Sequence, residues 1–263
     1  MHITVRDLAR YKGESRRFPV LTAYDFMTAS ILDQAGIPVL LVGDSLGQVV
    51  LGYETTLPVT MEQMLHHTAA VARGARRAMV VADMPFGSYQ GSVEDGFRNA
   101  VRFLKEAGAH AVKLEGPRLE LTQMLVEHGI PVMAHLGLTP QSVRALGGYR
   151  VQARTPESAD RLQSDALSVQ KAGASALVLE AIPAGLATEI SRSLTIPTIG
   201  IGAGAGCDGQ VLVITDLLGM GAETPPRFVK AYADVRKTIT DAALSFRDDV
   251  ESGRFPDDGH SYR

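Results

Sequence analysis

The stretches EAGAHAVKLEG (106–116) and EHGIPVMAHLG (127–137) decide the fold, because each joins the end of a helix to a buried strand through one glycine. The same pattern occurs in QAGIPVLLVG (34–43) and KAGASALVLEA (171–181). A glycine just after a helix readily adopts the left-handed conformation that reverses the chain. The sequence therefore repeats one helix-to-strand unit along its length.

Eight short runs of Val, Ile, Leu and Ala are almost continuously apolar, which is typical of parallel strands buried on both faces. The predicted strands are FPVLTAY (18–24), PVLLVG (38–43), AMVVADM (78–84), HAVKLEG (110–116), IPVMAHLG (130–137), SALVLEA (175–181), IPTIGIGA (196–203) and GQVLVITDLLG (209–219). Segments of helical length and period separate most of them. We therefore predict an α/β protein with a (β/α)₈ TIM barrel, and a doubly wound open sheet is the alternative.

Length and composition favour a single domain that binds a small molecule. The chain has 263 residues, is 45% hydrophobic and carries a net charge of −3, so no basic excess indicates nucleic acid or an anionic membrane. Cys207 is the only cysteine, which excludes an intramolecular disulfide. The charged N-terminal sequence is unlike a signal peptide, and no segment has about 20 consecutive apolar residues. We expect one barrel domain over 1–263 with a C-terminal helical extension, located in the cytoplasm.

Polar residues lie in or after the ends of the predicted strands, where barrel enzymes place their catalytic groups. Each one alone has a structural explanation, such as a helix cap, an internal ion pair or a core histidine. Carboxylates at the same end of four strands nevertheless indicate one common site, because an unpaired charge is costly to bury. The residues are Asp44 and Ser45 after strand two, Asp83 in strand three, Lys113 and Glu115 in strand four, His135 in strand five and Glu180 in strand six.

The residue types point to a hard divalent cation, because carboxylates without a histidine or cysteine cluster suit Mg²⁺ or Mn²⁺. Asp44 and Asp83 are the obvious pair of ligands. Such a metal could chelate a 2-oxo acid and stabilise an enolate as a Lewis acid. Glu180 could then act as the base from the opposite side of the barrel, Lys113 could add positive charge near the substrate oxygens, and Glu115 could orient water at the metal.

Long ordered strings resemble the ketopantoate hydroxymethyltransferase family over essentially the whole chain. They include VLTAYD, LVGDSLG, VADMPFGSY, VKLEG, HLGLTPQSV, GGYRVQ, LVLEAIP and IGIGAG. Two small departures from the family pattern are Pro117 after LEG and Ala134 before His135. Neither position is one of the proposed ligands.

This resemblance implies a barrel of the phosphoenolpyruvate/pyruvate-domain type and an enzyme of pantothenate and coenzyme A synthesis. The implied reaction is a Mg²⁺-dependent transfer of a hydroxymethyl group from the co-substrate 5,10-methylenetetrahydrofolate to 3-methyl-2-oxobutanoate, which gives 2-dehydropantoate. The resemblance further implies a homodecamer of two stacked pentamers, as in bacterial members of the family. No short string identifies the folate site.

The resemblance also implies a role for each matching position. The implied metal ligands are Asp44, Asp83 and Glu115. Substrate contacts are implied for Asp44, Ser45, Asp83, Lys113 and His135. Glu180 is the implied base that removes the C3 proton.

Two other functions remain open at this stage. The first is another Mg²⁺-dependent 2-oxo acid lyase or aldolase on a similar barrel, which would need a reactive cysteine in a gating loop, and Cys207 is the one candidate. The second is a ligand-binding barrel without catalysis, in which the carboxylates are structural.

Two further segments are the loop after predicted strand five and the chain after strand eight. Residues 138–160 form a long loop with glycines and arginines that suits a lid over the site. After strand eight, an amphipathic helix is predicted that is either the eighth helix of the barrel or a contact with another subunit. Its apolar residues are Phe228, Tyr232, Val235, Ile239, Ala242 and Phe246.

Overall fold

The computed structural model describes residues 2–221 and 224–262, which form two compact units, Met1–Val213 and Ile214–Arg263. In the first unit, eight parallel strands form a closed barrel in chain order. The strands are β1 (Phe18–Thr22), β2 (Val39–Val42), β3 (Met79–Asp83), β4 (Ala111–Glu115), β5 (Val132–Gly137), β6 (Ala176–Glu180), β7 (Thr198–Ile201) and β8 (Gly209–Leu212). The predicted TIM barrel is confirmed.

Pairing between the first and last strands closes the barrel. Phe18 of β1 is in register with Gly209 of β8, and Leu21 with Leu212. This ladder rules out the open doubly wound sheet, because such a sheet leaves two unpaired edges.

Helices alternate with most of the strands. They are α1 (Val5–Gly13), α2 (Phe26–Gln34), α3 (Leu46–Val49), α4 (Met61–Gly74), α5 (Val93–Lys105), α6 (Leu119–Glu127), α7 (Val143–Leu146), α8 (Pro156–Lys171), α9 (Ala184–Ser193), α10 (Ile214–Leu217) and α11 (Val235–Glu251). Within the described ranges, no helix has the length and apolar character that a membrane span requires.

The four glycines that join helix to strand all have the predicted left-handed conformation. Their φ angles are +84° at Gly36, +72° at Gly108, +82° at Gly129 and +98° at Gly173. At Gly173 a side chain would also meet Val126, because an added Cβ atom would lie 3.0 Å from its Cγ1. The repeated sequence unit therefore corresponds to a repeated structural unit.

Alternate residues of every strand supply side chains to the barrel core. Met79 and Val81 of β3 represent this inward row, and both are fully or almost fully buried. Because successive residues of a strand point to opposite faces, the next residue in the inward row of β3 is Asp83. The same parity governs the polar residues of the other strands.

The predicted lid region contains short helices as well as loop. After β5 comes a 3₁₀ turn, Pro140–Ser142, followed by α7. The chain then runs irregularly to Thr155, whose hydroxyl oxygen accepts a hydrogen bond from the backbone N–H of Ser158 and caps α8.

The predicted bounds of strand eight, in the first unit, and of the last helix, in the second, are wrong. The ladder ends at Leu212, and the apolar residues after it form α10, so the predicted strand 209–219 is too long. The last helix begins only at Val235, because the carboxylate of Asp234 caps it by accepting the N–H of Lys237. Every side chain of α11 is exposed or half-buried. The last residue of the tail, Arg263, lies outside the described residues.

Candidate active site

Strand alternation directs a cluster of polar side chains into the C-terminal end of the barrel. These residues continue the inward rows that form the apolar core below them. They are Asp83 on β3, Lys113 and Glu115 on β4, His135 on β5 and Glu180 on β6. The parallel strands place all five at the same rim, as the sequence predicted.

Gly43 at the end of β2 leaves room for the side chain of Ser45, next to Asp83 of β3. A Cβ atom at Gly43 would lie 2.7 Å from Oγ of Ser45 and 3.5 Å from Oδ2 of Asp83. The backbone N–H of Asp44 donates to that same Asp83 oxygen at 3.1 Å. Oγ of Ser45 lies 2.9 Å from the hydroxyl of Tyr24, which fixes its position. The structure thus brings Asp44 and Asp83 side by side.

Asp83 and Lys113 form a buried ion pair. Nζ of Lys113 donates to Oδ1 of Asp83, and the two side chains are 5% and 4% exposed. The register places these residues opposite each other on neighbouring strands, so Lys113 pairs with Asp83 and not with Glu115 of its own strand. Burial lowers the pKa of Lys113, but the charges of the surrounding carboxylates raise it by more, so the amine stays protonated.

His135 lies between two carboxylates. Its Nδ1 is 3.6 Å from Oε1 of Glu115, and its Nε2 is 3.2 Å from Oε2 of Glu180. Neither ring nitrogen makes a hydrogen bond of good geometry to a described residue, and Oε1 of Glu115 is likewise buried without one. Burial, followed by the charge of Lys113, lowers the pKa of His135 and favours the neutral ring.

The site has more negative than positive charge when its carboxyl groups are ionised. Burial and the charge of Asp83 raise the pKa of Asp44 to about 7. Burial and the charge of Asp44 raise the pKa of Glu115 well above its usual range. The carboxyl groups of Asp44, Asp83 and Glu115 surround the single ammonium of Lys113. A divalent cation would therefore neutralise charge that the site itself does not balance.

The arrangement suits a cation that takes only a few of its ligands from the protein. Among residues 2–221 and 224–262, no three His, Cys, Asp or Glu side chains are grouped so that they could hold a metal by themselves. Mg²⁺ commonly takes only one or two protein carboxylates and leaves its other positions to water and substrate. Asp44 and Asp83 fit this mode, and the unpartnered Oε1 of Glu115 offers a further oxygen nearby.

Comparison with known proteins identifies the family. The sequence model of ketopantoate hydroxymethyltransferase matches residues 2–258. The chain belongs to the ketopantoate hydroxymethyltransferase family. A relative from Syntrophus aciditrophicus (strain SB), a 3-methyl-2-oxobutanoate hydroxymethyltransferase, is 55% identical over 262 residues, which cover 99% of this chain and 96% of the relative.

Solved structures with low sequence identity share the barrel of this ketopantoate hydroxymethyltransferase family member. One is 2,3-dimethylmalate lyase, a member of the PEP mutase/isocitrate lyase superfamily, with a TM-score of 0.61 at 14% identity over 100% of this chain and 93% of that one. Another is phosphonopyruvate hydrolase in complex with oxalate and Mg²⁺, with a TM-score of 0.61 at 13% identity over 99% and 93%. These similarities confirm the predicted barrel class.

In this ketopantoate hydroxymethyltransferase family member, Glu180 stands at the mouth of the barrel. Its side chain is 17% exposed, whereas those of the other four inward polar residues are nearly inaccessible. The next residue, Ala181, has a left-handed φ of 48°, which is unusual without glycine. The N–H of Gln152 donates to the Ala181 carbonyl at 2.8 Å and holds this bend.

One central residue of the site, Gln141, is not among those that the sequence predicts. Its side-chain amide donates to Oδ2 of Asp44, and its backbone N–H donates to Oε2 of Glu115, each at 2.9 Å. No local pattern distinguishes a glutamine in a loop as a partner of distant carboxylates. The available signal was the string HLGLTPQSV, which places Gln141 four residues after the end of β5.

Proposed function

We propose that the chain transfers a hydroxymethyl group from 5,10-methylenetetrahydrofolate to 3-methyl-2-oxobutanoate and forms 2-dehydropantoate. The observation that carries this proposal is the 55% identity to a 3-methyl-2-oxobutanoate hydroxymethyltransferase over 99% of the chain. The carboxylate-lined end of the barrel supports it, because a small 2-oxo acid and a cation are the ligands that such a site would take.

Asp44 and Asp83 would hold Mg²⁺, with Glu115 beside them. The negative charge that the three carboxyl groups carry when ionised and the unpartnered Oε1 of Glu115 support this assignment. When bound, Mg²⁺ would supply Lewis-acid stabilisation of the negative charge that develops on the substrate oxygens. Ser45 and the protonated Lys113 would contact the substrate carboxylate.

Glu180 would remove the C3 proton of 3-methyl-2-oxobutanoate. It is the most exposed carboxylate of the inward rows, and its strand lies opposite β2 in the closed order of eight strands. Water would attack the methylene carbon of the folate, both of its C–N bonds would break, and tetrahydrofolate would leave. The electron pair on C3 would then add to the formaldehyde carbon so released, and the proton held by Glu180 would pass to its oxygen, which becomes the hydroxyl group. His135 would contact Glu180 through Nε2 and keep its carboxylate at the rim.

Hydrogen exchange in D₂O tests the proton-removal step directly. With Mg²⁺ and 3-methyl-2-oxobutanoate, the wild-type protein should exchange the C3 proton for deuterium, as followed by NMR. Glu180→Gln should slow this exchange by about 10²–10⁴-fold, because it removes a general base, while substrate binding is retained. Glu189→Gln, the same change on the exposed face of α9, is the matched control and should exchange normally. Exchange at the wild-type rate in Glu180→Gln would exclude it as the base.

The same experiment separates the alternative functions. A ligand-binding barrel without catalysis predicts no exchange at all. The lyase alternative requires a reactive cysteine, but Cys207 is buried in an apolar cluster, and burial raises the pKa of its thiol. Exchange that survives Cys207→Ala would support the hydroxymethyltransferase over that alternative.

We further propose a cytoplasmic location and a homodecameric assembly. The single cysteine and the similarity to biosynthetic enzymes support the location. Exposed apolar side chains on one face of α11, Ile239, Phe246 and Val250, support assembly, because large apolar groups on one helix face are usually covered.

A further inference from the structure

Gln141 is a buried amide at the rim of the barrel. It lies in the 3₁₀ turn after β5, and only 5% of its surface is exposed. A buried primary amide is costly unless its two N–H groups and its carbonyl oxygen all find partners. The partners of Gln141 therefore indicate why this residue type is required here.

All the hydrogen-bonding groups of the Gln141 side chain are used. Nε2 donates to Oδ2 of Asp44 and to the backbone carbonyl of Met84, both at 2.9 Å. Oε1 accepts from the hydroxyl of Tyr89 at 2.7 Å and from Nε2 of Gln90 at 3.0 Å. Together with its backbone N–H, Gln141 connects the ends of β2, β3 and β4.

Tyr89 fixes which end of the amide faces Asp44. The Tyr89 hydroxyl accepts the backbone N–H of Glu115 at 3.1 Å, so its own proton is available for Oε1 of Gln141. Gln90 donates to the same oxygen. With two donors at its oxygen, the amide must present its NH₂ group to Asp44, where only a donor is useful to an ionised carboxylate.

We propose that Gln141 is a positioning residue that orients Asp44 and Glu115 toward the bound cation. It occupies Oδ2 of Asp44 through its side chain and Oε2 of Glu115 through its backbone. It thereby leaves the unpartnered Oε1 of Glu115 for other ligands, and it does not occupy Oδ1 of Asp44. This inference rests on the proposed function, because it assumes a cation beside Asp44.

A purely structural role predicts a different result. Gln141 also ties the segment after β5 to the loop after β3, so its loss could simply loosen both loops. In that case the free energy of unfolding would fall while the affinity for Mg²⁺ would stay unchanged. Partners that orient metal-binding carboxylates typically contribute 10–100-fold to metal affinity.

The experiment measures the dissociation constant of Mg²⁺ by calorimetry, with the full chain and saturating 3-methyl-2-oxobutanoate. Gln141→Met keeps the length of the side chain but removes the amide, and we expect roughly 10–100-fold weaker Mg²⁺ binding. Tyr89→Phe removes only the hydroxyl that orients the amide, and we expect a smaller weakening in the same direction.

Gln170→Met is the matched control. Oε1 of Gln170 accepts the backbone N–H groups of Thr195 and Ile196 before β7, so this glutamine also holds a loop but lies at the opposite end of the barrel. We expect this variant to be less stable to heat and to bind Mg²⁺ with wild-type affinity.

The variants and the wild type give distinguishable outcomes. Folded Gln141→Met that binds Mg²⁺ within twofold of the wild type would overturn the positioning role. If Gln141→Met does not fold, Tyr89→Phe decides, and an unchanged dissociation constant there would overturn it equally. Absence of Mg²⁺-dependent substrate binding by the wild type would instead refute the proposed function, and with it this inference.

Discussion

Replacement of Asp83 by alanine should destabilise the barrel strongly. Asp83 is the carboxylate in direct contact with the ammonium of Lys113, and both side chains are at least 95% inaccessible. Loss of one partner of a buried ion pair leaves an uncompensated charge, which costs about 3–5 kcal/mol of the free energy of unfolding. The carboxyl groups of Asp44 and Glu115 remain near Lys113, so we expect the lower part of this range.

Urea unfolding followed by circular dichroism measures this cost, at one fixed protein concentration because assembly affects stability. Asp83→Ala combined with Lys113→Met should recover most of the lost stability, since the buried ammonium is then removed together with its partner. Glu94→Ala, which breaks an exposed pair with Arg98, is the control and should cost less than about 1 kcal/mol.

The pH dependence of Asp83→Ala provides a second check. Without its closest carboxylate, burial should depress the pKa of Lys113 in the folded state below its unfolded value, and the unfolded state would then bind more protons. Stability of this variant should therefore rise as the pH increases toward the unfolded pKa of lysine. A cost below about 1 kcal/mol for Asp83→Ala, or a double variant no more stable than the single one, would refute the reasoning.

Three further perturbations test other parts of the structure. Gly137→Ala should lower the thermal stability far more than Gly129→Ala. Both glycines have positive φ, but only at Gly137 would the new Cβ meet backbone, 2.3 Å from the carbonyl oxygen of Glu180. Equal losses of stability in the two variants would contradict this. Without divalent cations, thermal stability should rise as the pH falls from 8 to 5, because folded Asp44, with a pKa of about 7, binds a proton that the unfolded state lacks. Asp44→Asn should reduce this dependence of stability on pH, and an identical dependence would exclude Asp44 as its source. Removal of residues 247–263 should lower the mass measured by light scattering, because it deletes exposed apolar groups; an unchanged mass would show that assembly does not need them.

The repeat unit and strand alternation made most of the fold predictable. Glycines such as Gly108 and Gly129 mark each helix end, and the apolar runs after them correspond to β4 and β5. Boundaries were less predictable, because an apolar run can leave the sheet without changing composition. After Leu212 the run continues as α10, and sequence alone does not distinguish the two.

The site was predictable only where strand order determines it. Parity places Asp83 and Glu180 at one rim from the sequence alone. Which charges pair depends on register between strands, and this is why Lys113 pairs with Asp83 and not with Glu115. The bond from Gln141 to Asp44 joins residues 97 positions apart through a loop, and no periodicity encodes it.

The ladder between β1 and β8 also affects how the chain folds during its synthesis. Phe18 emerges from the ribosome early, yet its partner Gly209 is among the last residues of the barrel to follow. Until then β1 has an open edge whose N–H and C=O groups could pair with another chain. Contacts so distant in sequence form slowly. Nascent chains of this protein should therefore need protection by chaperones until the eighth strand is released.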